Sequence, residues 1–163
     1  MKNGFTLLEI LITIAILAIL ISFGISYFNS SVQLANLQSS ADILKTELLQ
    51  TQQSATSEAM KFFVKFKEKS YIISKENGEF VKEVKLLGGT KIVKTTFKNK
   101  YPGEDCMFFN ITGVAFPAGG VCLQSQNKNC RCVVISIGYP SRIRIGKKKD
   151  ECQCCEKIKS CIY

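Results

Sequence analysis

The stretch from Gly4 to Ile25, GFTLLEILITIAILAILISFGI, is apolar apart from a few hydroxyls and one carboxylate, Glu9, near its start. As a helix rising about 1.5 Å per residue, Phe5 to Ile25 makes a rod of about 31 Å, which matches the hydrocarbon core of a bilayer. The apolar core of a secretory signal peptide is shorter, about 7–15 residues, and is removed with the peptide. A helix of this length can span. A carboxylate inside such a helix costs roughly 2.5–3.5 kcal/mol on insertion scales and marks a functional position. An ordinary membrane anchor would explain the length of the run but not Glu9.

Lys2, Asn3, Gly4, Phe5, Thr6, Leu7, Leu8 and Glu9 in succession resemble the leader and mature N-terminus of type IV pilins and type II secretion pseudopilins. The shared pattern is a short basic leader ending in Gly, then Phe, then Glu as the fifth mature residue, then an unbroken apolar helix. The resemblance implies cleavage between Gly4 and Phe5 by a prepilin peptidase and methylation of the new Phe5 amine. It also implies a role for Glu9 in filament assembly, its carboxylate facing the Phe5 amine of a neighbouring subunit. Two charges taken out of water together stabilise one another there. Position 26 is Ser, whereas major pilins typically place a helix-kinking Pro at that point, so the departure points to a pseudopilin or minor pilin.

The 163 residues leave room for one globular domain beyond the helix. The chain has a formal charge of +9 and no His, which removes the usual general base and the usual nitrogen ligand for zinc. With no paired-carboxylate, nucleophile-base or phosphate-loop pattern, the reading is not an enzyme, with no cofactor. Lys2 on the short leader suits a cytoplasmic N-terminus. The domain would then lie in a periplasm or outside the cell, with the chain a single-pass protein of an inner membrane.

From Ser26 to Glu58 apolar residues fall at Leu34, Leu37, Ala41, Leu44 and Leu48. These spacings of three and four predict an amphipathic helix continuing the membrane rod and packing on the chain's own sheet, in preference to a coiled coil. At Lys61 the period changes to two: Phe62, Val64 and Phe66 share one strand face, and Lys61, Phe63, Lys65 and Lys67 the other. Tyr71 to Ser74 and Phe80 to Val84 flank Asn77 and Gly78 as a hairpin. Gly88 and Gly89 then break the chain before a strand at Lys91 to Phe97, and further strands are expected at Cys106–Ile111, Val121–Leu123, Cys132–Ile137 and Arg142–Ile145. The alternating lysines read as a solvated face guarding the sheet edges.

Between Phe108 and Ile145 the order of segments resembles the GspH/FimT group of pseudopilins and minor pilins: an aromatic strand into a Gly turn, a Gly-rich loop, a short apolar strand, an Ile/Val strand and a final basic strand. Tyr139, Pro140 and Ser141 before Arg142 depart from that pattern. Arg142, Arg144, Lys147, Lys148 and Lys149 form the densest positive cluster. In a strand both guanidiniums would share one side and Ile143 and Ile145 the other, a row able to grip phosphates. Resemblance to FimT-like minor pilins implies DNA capture by this segment. A solvated edge strand is the plainer reading.

Cys106, Cys122, Cys130, Cys132, Cys152, Cys154, Cys155 and Cys161 all lie in the second half. An even count in an exported domain predicts disulfides of open connectivity, preferred over a thiolate metal site because the spacings are not the usual ones for zinc. The expected architecture is α+β: residues 1–4 a leader, 5–25 a membrane-spanning helix, 26–58 its amphipathic extension, and 59–163 a β-rich domain with a Cys-rich tail. The expected function is a structural filament subunit of a type II secretion system or type IV pilus, with a DNA-binding minor pilin as the alternative. Its partners would be other subunits, the prepilin peptidase, an inner-membrane assembly platform, lipid and, in the alternative, DNA.

Overall fold

A computed structural model describes residues 6–97, 105–136 and 138–146. One helix, α1 (Leu7–Ser57), precedes nine strands. Thr6 caps α1, its Oγ1 accepting the Glu9 N–H at 3.3 Å. Thr6 to Glu9 thus has the spacing of a capping box, and Glu9 falls in the first helical turn. The expectation of a carboxylate in the helix interior is corrected accordingly: the positive end of the helix dipole offsets part of its cost. The helix passes Ser26 without a break. Thr13 and Ser22 satisfy their hydroxyls on the carbonyls of Ile10 and Ala18, both at 2.8 Å.

By contact pattern the chain divides into residues 1–32 and 33–163. In the first unit the apolar side chains are exposed all round, from Leu7 through Leu17 to Phe28. In the second, α1 buries Leu37, Ala41, Leu44, Leu48 and Ala55 in the core. Leu34, placed on that seam by its spacing, lies outside it at 37% exposure. The helix ends where Ala59 adopts a left-handed φ of 51° and the Met60 N–H returns to the Ala55 carbonyl at 3.3 Å, a Schellman-type close.

The strands β1 (Phe62–Phe66), β2 (Ser70–Lys75), β3 (Phe80–Lys85), β4 (Lys91–Thr95), β5 (Cys106–Phe109), β6 (Ala115–Phe116), β7 (Gly119–Gln124), β8 (Cys130–Ser136) and β9 (Arg142–Ile145) form two antiparallel sheets. One has the order β3-β2-β1-β5-β6, the other β4-β7-β8-β9. The chain crosses between them at Gly88 and Gly89, with φ of +54° and +73°. A Cβ on Gly88 would lie 2.0 Å from Asn36 Nδ2, so only Gly lets this turn press against α1. Both sheets contribute to one core, with Tyr71, Ile73, Met107 and Phe109 from the first and Val121, Leu123, Val133 and Ile135 from the second.

Two local readings are sharpened. The β2–β3 hairpin is a three-residue loop, because Gly78 N–H bonds the Lys75 carbonyl at 3.0 Å and Lys75 N–H the Glu79 carbonyl at 2.9 Å. Gly78, φ +85°, is the bulge residue of that loop. The strand expected to reach Ile111 stops at Phe109, because Asn110 Oδ1 accepts the N–H groups of Thr112 and Val114 at 3.0 and 2.9 Å and turns the chain.

Polar residues of α1 hold the loops. Buried Gln52 donates through Nε2 to the carbonyls of Gly113 at 2.6 Å and Ser141 at 2.9 Å, joining the helix to a loop of each sheet. Ser40 Oγ accepts the Leu87 N–H at 3.1 Å. Burial pushes the Tyr71 phenol upward, with the Glu47 carboxylate adding to it.

At the sheet surface, the Ser70 hydroxyl and then Lys67 draw the Glu83 carboxyl down, and Lys61 draws Glu76 down. Groups with a depressed folded-state pKa stabilise above the ordinary carboxylate range and lose that contribution as pH falls through their folded value. A thermal midpoint flat near neutrality and falling under acid is expected, with Glu83→Gln reducing the slope. An unchanged slope in that variant, measured by circular dichroism melts, would count against the assignment.

Candidate functional site

Glu9 lies on the exposed surface of an apolar helix end, held by α1 in its first turn. An 18-residue window of α1 has a mean hydropathy of 2.6 and none of it is buried. Such a segment fits membrane anchoring. Gly4 and Phe5 lie outside the described residues.

β9 is one of the two edge strands of the four-stranded sheet and alternates as expected: Arg142 and Arg144 exposed, Ile143 buried, Ile145 packed on the core. Its register on β8 sets Arg142 beside Ser136 and Arg144 beside Val134. Both guanidiniums therefore emerge on the same outer face, two residues apart. The Ser136 hydroxyl donates to the Arg142 carbonyl at 3.2 Å. Lys147, Lys148 and Lys149 lie outside the described residues, so the structure brings together two of the five cations named above.

Cys122 of β7 and Cys132 of β8 are register partners, both buried, with Sγ atoms 2.8 Å apart. Cys122 is disulfide-bonded, and its contact with Cys132 is a non-bonded one. Cys106 and Cys130 are half-buried on β5 and β8. Cys152, Cys154, Cys155 and Cys161 lie outside the described residues. Among the described residues no three His, Cys, Asp or Glu side chains group as metal ligands.

Sequence reasoning missed two features. Gln52 carries no local signal, being one of several Gln and Ser residues in α1. The second is a row of three rings on the outer face of the five-stranded sheet. Phe63, Phe108 and Phe116 are cross-strand neighbours with centroids 5.4 and 5.8 Å apart. The outward position of Phe63 was legible from alternation, but its neighbours depend on long-range pairing.

With a capped apolar helix continuing onto two antiparallel sheets, the architecture is that of a pilin-like protein. Residues 1–25 match the prokaryotic N-terminal methylation motif. The fold is similar to that of the minor pseudopilin EpsH from the type 2 secretion system of Vibrio cholerae, at 12% identity and a TM-score of 0.53, over 67% of this chain and 96% of that one. No curated protein matches the chain. The chain thus joins an N-terminal methylation motif to a pilin-like fold.

Proposed function

We propose that this chain is a minor structural subunit of a type II secretion pseudopilus or type IV pilus, of the GspH/FimT type. In this reading residues 1–4 are the leader, a prepilin peptidase cuts after Gly4 on the cytoplasmic side, and the Phe5 amine is methylated. The helix crosses the inner membrane once and the domain faces the periplasm or the exterior. The observation that carries the reading is the methylation motif set on a helix whose apolar half is bare on every side. Bare apolar surface of that extent is stable in lipid or against like helices. In cells lacking the prepilin peptidase the chain should keep residues 1–4 and stay out of the sheared filament fraction; a cut, assembled chain in such cells would refute the reading.

A second reading, a minor pilin that captures DNA, is favoured by one observation: Arg142 and Arg144 stand side by side on an exposed edge strand. Phosphate contacts of this kind weaken steeply as salt rises. A soluble fragment from about Asn29 should shift duplex DNA at low salt, and Arg142→Ala with Arg144→Ala should abolish the shift. A shift that survives the double substitution would remove β9 from the account.

A further inference from the structure

The outer face of the four-stranded sheet is closed at its centre. Val121, Leu123, Val133 and Ile135 point into the core, so alternation turns Cys122, Cys132 and Val134 the other way. Side chains on that face, away from α1 and the other sheet, meet water unless something lies over them. Cys122 is nonetheless 0% exposed, Cys132 3% and Val134 8%. Register sets Lys94 of β4 beside Cys122 and Cys122 beside Cys132, and the Gly146 N–H on the Cys132 carbonyl at 2.7 Å sets Cys132 beside Gly146. The row therefore ends where residues 147–163 begin.

Cys122 is disulfide-bonded, and among the described residues no cysteine supplies the second sulfur. The contact with Cys132 is non-bonded, the Cys130 thiol donates to the Lys128 carbonyl at 3.4 Å, and Cys106 lies across the core on β5 of the other sheet. Cys152, Cys154, Cys155 and Cys161 remain. Their reach is sufficient. Gly146 and Cys122 are two strand spacings apart, about 10 Å, and the six residues from Gly146 to Cys152 can extend over about 20 Å. Charge agrees with this occupant. Exposed Lys94 and Arg144, the register partners of Cys122 and Val134, flank the closed strip, while Asp150, Glu151 and Glu156 bracket Cys152, Cys154 and Cys155. Opposite charges set against one another in this way fix the register of a contact.

We propose that the Cys-rich tail, from Asp150 onward, folds over the outer face of the four-stranded sheet and is anchored there by a disulfide between Cys122 and one of the tail's own four cysteines. The bridge forms as two thiols give up two protons and two electrons to a disulfide oxidant, which is itself reduced to a dithiol. The inference rests on the exported placement of the domain proposed above, because such bridges form and persist outside the cytoplasm. It adds a covalent anchor for the tail and a cover for Val134, which would otherwise stand in water on an open sheet face.

The test is a disulfide map of the full chain purified from its own membranes, with thiols alkylated before any reduction. Cleavage at Met107 and after Lys and Arg isolates Cys122 in peptide 108–128, apart from Cys106. That peptide should be joined to 150–157 or 160–163 and be released on reduction, from a chain that runs as a monomer on a non-reducing gel. A photo-cross-linking residue at position 134 should in addition link, within the chain, to residues 150–163. Joining of 108–128 to a peptide that holds Cys106, Cys130 or Cys132, alkylation of Cys122 while other cysteines are bridged, a disulfide-linked dimer, or cross-links from position 134 to other chains only would overturn this inference alone. Alkylation of all eight cysteines before reduction would overturn it together with the exported placement.

Discussion

Glu9→Ala should yield a chain that is cut, inserted in the membrane and absent from sheared filaments. The substitution leaves the helix start intact, because the cap is the Thr6 hydroxyl accepting the Glu9 backbone N–H, which Ala retains. What is lost is a carboxylate on the bare end of an apolar helix. On the filament-subunit reading proposed above, that charge would pair in a low dielectric with a cation on a neighbouring subunit. The helix dipole compensates the carboxylate in part, so on that reading the substitution should spare insertion and remove assembly. Glu9→Gln, which keeps size and hydrogen bonding but removes the charge, should behave as Glu9→Ala does. Normal recovery of either variant from filaments, by immunoblot of the sheared fraction against the membrane fraction, would contradict the assignment.

Leu48→Ala should lower the unfolding free energy of the domain by about 2–5 kcal/mol, as truncation of a fully buried side chain leaves a cavity. Leu48 is 0% exposed and packs in a core to which α1 and both sheets contribute. Gln52→Leu, one turn further on, should cost about 1–3 kcal/mol for a different reason. The Ser141 carbonyl would lose its Gln52 donor, while the Gly113 carbonyl keeps the Ser141 N–H at 3.2 Å. Against a total of about 5–15 kcal/mol for a typical domain, the first change alone is severe. Urea melts of the detergent-solubilised chain would report both, and a Leu48→Ala midpoint equal to wild type would mean that α1 does not organise the core.

Where a residue's role depends on its near neighbours, the sequence was sufficient. The spacing of Leu37, Ala41, Leu44 and Leu48 announces a buried helical face, and the alternation in Phe62 to Phe66 and Arg142 to Ile145 announces which side chains turn outward. The capping box is equally local, with Thr6 and Glu9 three residues apart. Other features depend on distant partners. Nothing near β4 says that it leaves the first sheet for the second, since the pairing of Ile92 with Leu123 joins residues far apart in sequence. Ala59 ends α1 in a left-handed turn without the glycine that usually signals one. Gln52 is chosen by where the loops at Gly113 and Ser141 arrive.

The pH slope and the DNA shift each probe the domain; the proposed processing of the N-terminus, where residues 1–25 match the methylation motif, is a claim about the other end of the chain. Intact mass of the protein purified from its own membranes, taken before and after reduction, tests that claim most directly. The account predicts a chain lacking Met1 to Gly4, carrying one methyl group on the new Phe5 amine, and gaining mass on reduction as disulfides open. A mass that includes residues 1–4, or one that reports cleavage beyond Ile25 with loss of the helix, would contradict it.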